Sequence, residues 1–412
     1  MRIECSIHIV YYVCIFQQKI EVDRLAKKES LTSLKMLLFH FHATNTIILS
    51  FLPLYLKYKG LTGTEIGWVL AIGPFASIIS QPFWGYLSDK YKTVKRMLII
   101  SVIGMLIFSI VFFQMDSLLA ILVFGAFFYF FSSPVGALSD SLAQRRANEL
   151  GISFGTIRTW GSVGFAFSSL IVGELLARFG IEFIVWPYVI LGTALLLIAF
   201  SIQDVEADAD PVRFSDIKKL IGNKRFVLFL FFMMFITIGH RANDSFIGIY
   251  IAELGGSEGL VGISWFVGVI SEAAVFALAA LWFRKLHPIG FIIIASILYT
   301  IRWFVYGTAT SPYLIISLQF LHGLTFGVFY VAAFDYITRI IPKLLQSTGH
   351  LIFYSVFFGV SGIIGSLGGG AILEAYGGQT LYAWMGFLVL VGTICFLGFH
   401  MGVRKKKRKA KS

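Results

Sequence analysis

Twelve long stretches of this chain carry almost no charge: residues 34–56, 65–88, 97–114, 118–141, 154–177, 182–202, 225–251, 260–283, 289–308, 312–337, 348–373 and 379–402. A helix of about 20 mostly apolar residues crosses the hydrocarbon core of a bilayer. Inside that core every backbone N–H and C=O must be bonded within the protein, so only helices and closed barrels can span it. Barrel strands alternate apolar and polar side chains. These stretches are continuously apolar, and helices are expected. Composition agrees. The 412 residues are 57% hydrophobic and 14% charged, with 42 Phe, whereas soluble domains run near about 25% charged. Too little polar surface is present to cover a soluble globule, which excludes an ordinary soluble enzyme, a disordered chain and a collagen-like chain.

The net charge of +12 would draw a soluble protein towards nucleic acid, but a simpler account holds here. With the N-terminus in the cytoplasm, 28 of the 34 Lys and Arg fall in inner segments. Only Lys57, Lys59 and Arg178 fall in outer loops, and Arg158, Arg241 and Arg302 lie within spans. Such asymmetry sets both termini inside, in a multi-pass plasma-membrane protein with no nucleic-acid partner.

The longest polar interval between spans, 203–224, includes QDVEADADPVRFSDIKK and separates six helices (34–202) from six (225–402). The halves resemble each other at an offset near 195. Ile66, Gly67 and Gly73 match Val261, Gly262 and Gly268, Asp140 matches Asp335, and GELLARFG (173–180) resembles GAILEAYG (370–377). The expected fold class is therefore an all-α membrane protein of twelve transmembrane helices in two six-helix halves. Parallel repeats with a site between them are the plan of many secondary transporters. In the N-terminal extension, 1–33, the apolar run from Cys5 to Phe16 is too short to span. It reads as an interfacial helix or, the reading favoured here, the product of an upstream start codon. The basic tail, 403–412, reads as a cytoplasmic anchor, with contact to anionic lipid as the alternative.

Cys5, Cys14 and Cys395 have no metal or disulfide spacing, and HExxH and phosphate-loop motifs are absent. No enzyme, metal or cofactor is expected. Ionisable groups within the spans are the informative exceptions, because each costs at least about 2.5–3.5 kcal/mol at the membrane centre and needs a partner or a task. They are Asp140, Arg158, His240, Arg241, Asp244, Glu272, Arg302, His322 and Asp335.

Antiparallel helices rise equally from a shared turn, so depth can be counted. From a turn near 287, Glu272 lies 15 residues before and Arg302 15 after, both about 22 Å deep. Turns near 311 and 256 put His322 and His240 at the same level. A turn near 149 puts Asp140 and Arg158 at 9 residues each, as a carboxylate–guanidinium pair. Asp335 has Arg339 four residues on, which suits a local pair. Asp140 and Arg158 read either as a helix staple or as a coupling pair. His240, Arg241 and Asp244 either satisfy one another or form an auxiliary polar cluster. Glu272, Arg302 and His322, delivered by three helices to one level, suit proton coupling, since a change of pairing changes protonation. Gln81 and Asn45 add uncharged hydrogen-bonding groups, and Trp160, Trp265 and Trp303 are either ring-stacking surfaces or, the reading favoured by how frequent aromatics are, lipid-facing or core. His40 and His42 read as interfacial or core.

These residues resemble a family. GYLSDKYKTVKR (85–96) is similar to the major facilitator loop motif through Gly85, Asp89, Lys90, Lys95 and Arg96, with Lys92 standing where that motif has its second glycine. The resemblance implies a cytoplasmic gate latch. IRTWGSVGF (157–165), VGVISEAAVF (267–276), IRWFVYG (301–307) and LHGLTFG (321–327) resemble the phenylpropionate-porter and lactose-permease-like branch. That branch implies a proton symporter driven by the proton gradient. Its pattern carries over onto Asp140, Arg158, Glu272, Arg302 and His322, with Arg158 and Glu272 near the solute, flanked by Asp140 and Trp160. Arg302 and His322 would share the proton site with Glu272. His240, Arg241 and Asp244 are additional to the pattern. The implied partners are protons, lipid and a small organic solute of aromatic-acid, sugar or nucleoside class, and a monomer is expected. An efflux antiporter on the same fold is the alternative, disfavoured because 161–173 (GSVGFAFSSLIVG) lacks the glycine–proline signature of drug antiporters.

Overall fold

The computed structural model describes residues 31–204, 214–283 and 286–409. Most of the N-terminal extension, part of the 203–224 linker and the end of the basic tail lie outside the described residues.

Ten helices among the described residues are long and apolar enough to cross a bilayer, and one further crossing is bent by 43°. In chain order they are α1 (Leu31–Tyr58), α2 (Gly63–Lys90), α3 (Val94–Gln114), α4 (Leu118–Glu149), α5 (Phe154–Phe179), α6 (Ile181–Ser201), α7 (Lys224–Glu253), α8 (Glu258–Ala277), α9 (Pro288–Gly307) and the bent α10 (Pro312–Phe320 with Gly323–Ile340). The last helix, Thr348–Met401, has 54 residues. At about 1.5 Å per residue that is more than twice the thickness of a bilayer core. Gly377, at φ 78° and ψ 173°, breaks it, and only a glycine takes such angles without a Cβ clash. The two parts are α11 (348–376) and α12 (378–401), which makes twelve crossings.

Local chemistry sets the helix ends. Thr62 and Glu65 form a reciprocal capping box at the start of α2. The Asn223 side chain accepts the N–H groups of Arg225 and Phe226 to open α7. Pro288 and Pro312 stand in the first turns of α9 and α10, where a missing N–H costs nothing.

Two spans differ from the hydropathy reading. The α4 helix runs to Glu149 rather than 141, because the polar segment after residue 141 leaves the apolar layer yet keeps good helix formers. The stretch 312–337 is not one regular helix. Ser271 Oγ accepts the Gly323 N–H at 2.9 Å and donates to the Phe320 carbonyl. Those backbone groups are drawn from the helix ladder, and Gly323–Gly327 follows as a wider, π-type turn.

The six-helix halves meet along α2–α11 and α5–α8, and small residues allow it. A Cβ on Gly370 would lie 3.0 Å from Gly67 Cα, and one on Gly173 would lie 3.1 Å from Gly262 Cα. These contacts are near-symmetric, the counterparts of one another in the internal repeat. Both fall towards the face that carries the α1–α2 and α7–α8 turns, where Lys57 Nζ meets Glu253 at 3.0 Å and the Thr64 N–H meets Glu374 at 2.8 Å. That face is closed.

Candidate functional site

Between the halves lies a cavity of two joined lobes. The larger, of about 410 Å³, is bordered by α1, α2, α4, α7 and α11, with Asn45, Gln81, Ser133, Ser245, Arg241 and Asp244 among its polar groups. The smaller, of about 190 Å³, is bordered by His42, Arg158, His240, Trp265, Glu272 and His322. Leu49, Arg241, Asp244 and Phe358 border both.

In the smaller lobe α8 and α10 bring Glu272 and His322 together, with Oε2 and Nε2 3.7 Å apart. The His322 ring lies 5.8 Å from that of His240 on α7. His240 stacks on Phe326 at 4.6 Å; its Nδ1 meets the Tyr299 hydroxyl at 3.0 Å and its Nε2 lies 3.5 Å from Asp244 Oδ2. Arg241 Nη1 donates to the same oxygen at 2.8 Å. By count His240 reaches the level of Glu272 and His322, with the α7 cluster additional to the coupling pattern. In space the two form one succession, from Glu272 through His322 and His240 to Asp244 and Arg241.

Across the cavity, Arg158 Nε lies 3.7 Å from Asp140 Oδ1, both side chains 40% exposed. Arg158 borders the smaller lobe; Asp140 stands behind it. Both lobes are open rather than enclosed, and since the halves are bridged at the α1–α2 and α7–α8 turns, the opening lies towards the α4–α5 turn. Towards the closed face, Phe165 and the buried Trp265 touch across the halves, ring to ring at 5.7 Å.

Arg302 corrects the expectation. Its side chain is wholly buried and borders neither lobe, whereas Glu272 borders the smaller one. It donates to Thr325 at 3.2 Å, to the Tyr306 hydroxyl at 3.1 and 3.2 Å, and to Gln319, with its guanidinium over Trp303. No ion pair joins it to a carboxylate among the described residues, because counting from turns gives height but not direction around the helix. Trp160 also differs. It borders neither lobe and lies 5.5 Å from Lys35 Nζ as a cation–π partner. Asp335 and Arg339 form their local pair at 2.7 Å.

His42 was read as interfacial or core, but it borders the smaller lobe with Nε2 lacking a partner. Its helical spacing from Asn45 and Leu49, on one face of α1, is the signal that would have found it. In the 85–96 loop Lys92 has φ 51°, the only non-glycine residue with positive φ among those described, so the bend survives where the motif's glycine does not. The Lys95 N–H donates to Asp204 Oδ1 at 2.9 Å, Lys95 Nζ donates to the Phe200 carbonyl at 2.7 Å, and Thr93 also bonds Asp204. Asp204, at the end of α6, was missed because it reads as linker. The Arg96 N–H caps on Thr93, Lys90 lies over Tyr86 and Tyr91, the Asp89 carbonyl accepts the Lys92 N–H, and Gly85 has open space beside it. These contacts all stay within the first half.

Twelve helices in two halves around a polar cavity, closed on one face and open on the other, define a membrane transporter of major facilitator type. The model of the MFS_1 like family matches residues 31–384, and the chain belongs to that family. It is 27% identical over 351 residues to the maltose permease of Geobacillus stearothermophilus, covering 84% of this chain and 88% of that one. It is 28% identical over 310 residues to the probable 3-phenylpropionic acid transporter of Escherichia coli (strain K12), covering 73% and 80%. Among solved structures, the nucleoside transporter NupG superposes with a TM-score of 0.81 at 17% identity, covering 90% of this chain and 98% of that one. The chain is thus a multi-pass membrane transporter of small solutes rather than an enzyme.

Proposed function

We propose that the protein is a proton-coupled symporter of a small organic solute, working by alternating access in the plasma membrane with both termini cytoplasmic. The observation that carries the reading is the Glu272–His322 contact, 3.7 Å long, in the cavity between the halves and opposite Arg158. A proton on Glu272 removes its attraction for His322 and for any cationic neighbour, so occupancy of the cavity and protonation are linked. Arg158, oriented by Asp140, is the solute-facing cation, and Arg302 steadies α9 against α10 behind the site. The basic residues crowd the open face, which makes this conformation inward-facing by the positive-inside rule. The 85–96 loop, held to α6 through Asp204, serves as the cytoplasmic latch. No cofactor is needed beyond the proton gradient, and a single chain suffices.

Uptake in cells is expected to collapse on addition of an uncoupler. Glu272→Gln is expected to keep solute exchange and lose accumulation against a gradient. Accumulation that survives both treatments overturns the symport reading, and outward flux driven by an inward proton gradient in everted vesicles would replace it with efflux.

A further inference from the structure

Arg158 is the solute-facing cation of the proposed cycle, yet Asp140 alone does not fix its direction. The 3.7 Å between Arg158 Nε and Asp140 Oδ1 is longer than a hydrogen bond, and Oδ1 accepts none. Charge attraction at that range draws a long side chain to one side. Aiming its planar fork takes short, paired hydrogen bonds or a packed neighbour.

The packed neighbour is His42 on α1. A Cβ on Gly161, one turn along α5 from Arg158, would lie 2.7 Å from Arg158 Nη1 and 2.9 Å from His42 Nε2, and it would run into His42 Cδ2. Imidazole and guanidinium thus share the space that this glycine leaves open, and both residues border the smaller lobe. The ring has little freedom to yield, because α1 and α5 are joined beside it. Gly164 leaves no room for a Cβ against the Phe39 carbonyl. Ser168 Oγ donates to the Ala43 carbonyl at 2.8 Å. Thr46 Oγ1 donates to the His42 carbonyl at 2.8 Å and also lies 3.4 Å from the Phe165 carbonyl of α5. Phe41 stands edge-on to the ring at 4.8 Å. His42 Nε2 has no hydrogen-bond partner, so packing rather than a polar bond at that atom holds the ring here.

We propose that His42 is a positioning residue for Arg158: its ring, pinned by the α1–α5 seam, fills the room over Gly161 and keeps the guanidinium turned into the smaller lobe. The inference rests on the reading of Arg158 as the solute-facing cation and adds the group that aims it.

The test reads the arginine directly and needs no solute. The full chain, purified in detergent, is treated with phenylglyoxal, which modifies accessible guanidinium groups. Peptide mass spectrometry gives the rate at Arg158 relative to Arg178, whose side chain is 71% exposed. His42→Ala opens room for the guanidinium to fold back on α5 and is expected to slow the relative rate about threefold or more, as the lobe-facing population falls. His42→Phe keeps a ring in place and is expected to retain the wild-type rate. Gly161→Ala sets a methyl group at the shared point; the flexible guanidinium yields before the pinned ring, so the rate is expected to rise. Lost packing alone would lower the unfolding temperature of these variants without moving the ratio in opposite directions. An unchanged ratio in His42→Ala, or in Gly161→Ala if the first variant fails to fold, overturns the proposal, and so does equal slowing in His42→Ala and His42→Phe. Failure of the coupling scheme looks different: uptake that survives an uncoupler removes the proton from the cycle and leaves these rates as they are.

Discussion

Glu272 and Arg302 count to the same distance from their shared turn and meet different fates. Arg302 is saturated by hydroxyl and amide acceptors and packed against Trp303, with no access to the cavity. Glu272 borders the cavity with one histidine 3.7 Å away. Their variants should separate accordingly. Arg302→Ala is expected to lower stability by about 2–4 kcal/mol, since it leaves Gln319 and Thr325 with unmet bonds inside a fully packed region. Glu272→Gln is expected to change stability by less than about 1 kcal/mol. Thermal unfolding of the purified protein distinguishes them, and equal losses would contradict the assignment of Arg302 to the scaffold. Asp140→Asn is expected to cost less than about 1 kcal/mol, since a half-exposed pair contributes little.

At the level of the elements, the closed face depends on glycine. The α2–α11 and α5–α8 crossings bring backbones within reach of one another, and any Cβ at Gly67 or Gly262 would run into the carbonyl of Ser366 or Ser169. Backbone cannot yield as a side chain can. Gly262→Val is therefore expected to part α5 from α8 and open this face. With a thiol installed by Ser162→Cys in the smaller lobe, an impermeant maleimide applied from the side of Lys57 and Glu253 should react about tenfold faster or more in the Gly262→Val background, where a tenfold rate corresponds to about 1.4 kcal/mol of conformational bias. An unchanged rate would remove these glycines from the gate. The bend in α10 works in the same way at shorter range. A Cβ on Gly323 would meet the backbone of Ser271, the residue beside Glu272, so Gly323→Ala is expected to impair solute transport while the protein still inserts.

For the whole molecule, the arrangement of charge decides orientation. Reporter fusions after residue 402 and in the 203–224 linker are expected to be active as cytoplasmic fusions, and fusions in the 59–62 turn as external ones. The opposite pattern would reverse the inward-facing assignment. The two near-symmetric glycine contacts also suggest how access changes sides. In the proposed alternating-access cycle, halves that rock about the cavity would exchange one closed face for the other, and a solute held between them would need no long path.

Spans, the even helix count and the internal repeat could be read from the chain alone, because in a bilayer each helix must satisfy its own backbone and present an apolar surface regardless of its neighbours. Depth was readable too, since rise per residue is fixed, and it brought Glu272 and His322 to one level. Direction around the helix was not readable. It depends on which neighbour each face packs against, and so only the tertiary structure turned Arg302 away, moved Trp160 to the rim beside Lys35, and brought His42 into the cavity. The union of the α7 cluster with His322 and Glu272 is half of each kind: counting gives His240 the same level, and only packing supplies the ring contacts and close pairs that join the three helices. Membrane solvation dictates helices one at a time. Their azimuths, and with them the site, are settled only when twelve helices pack together.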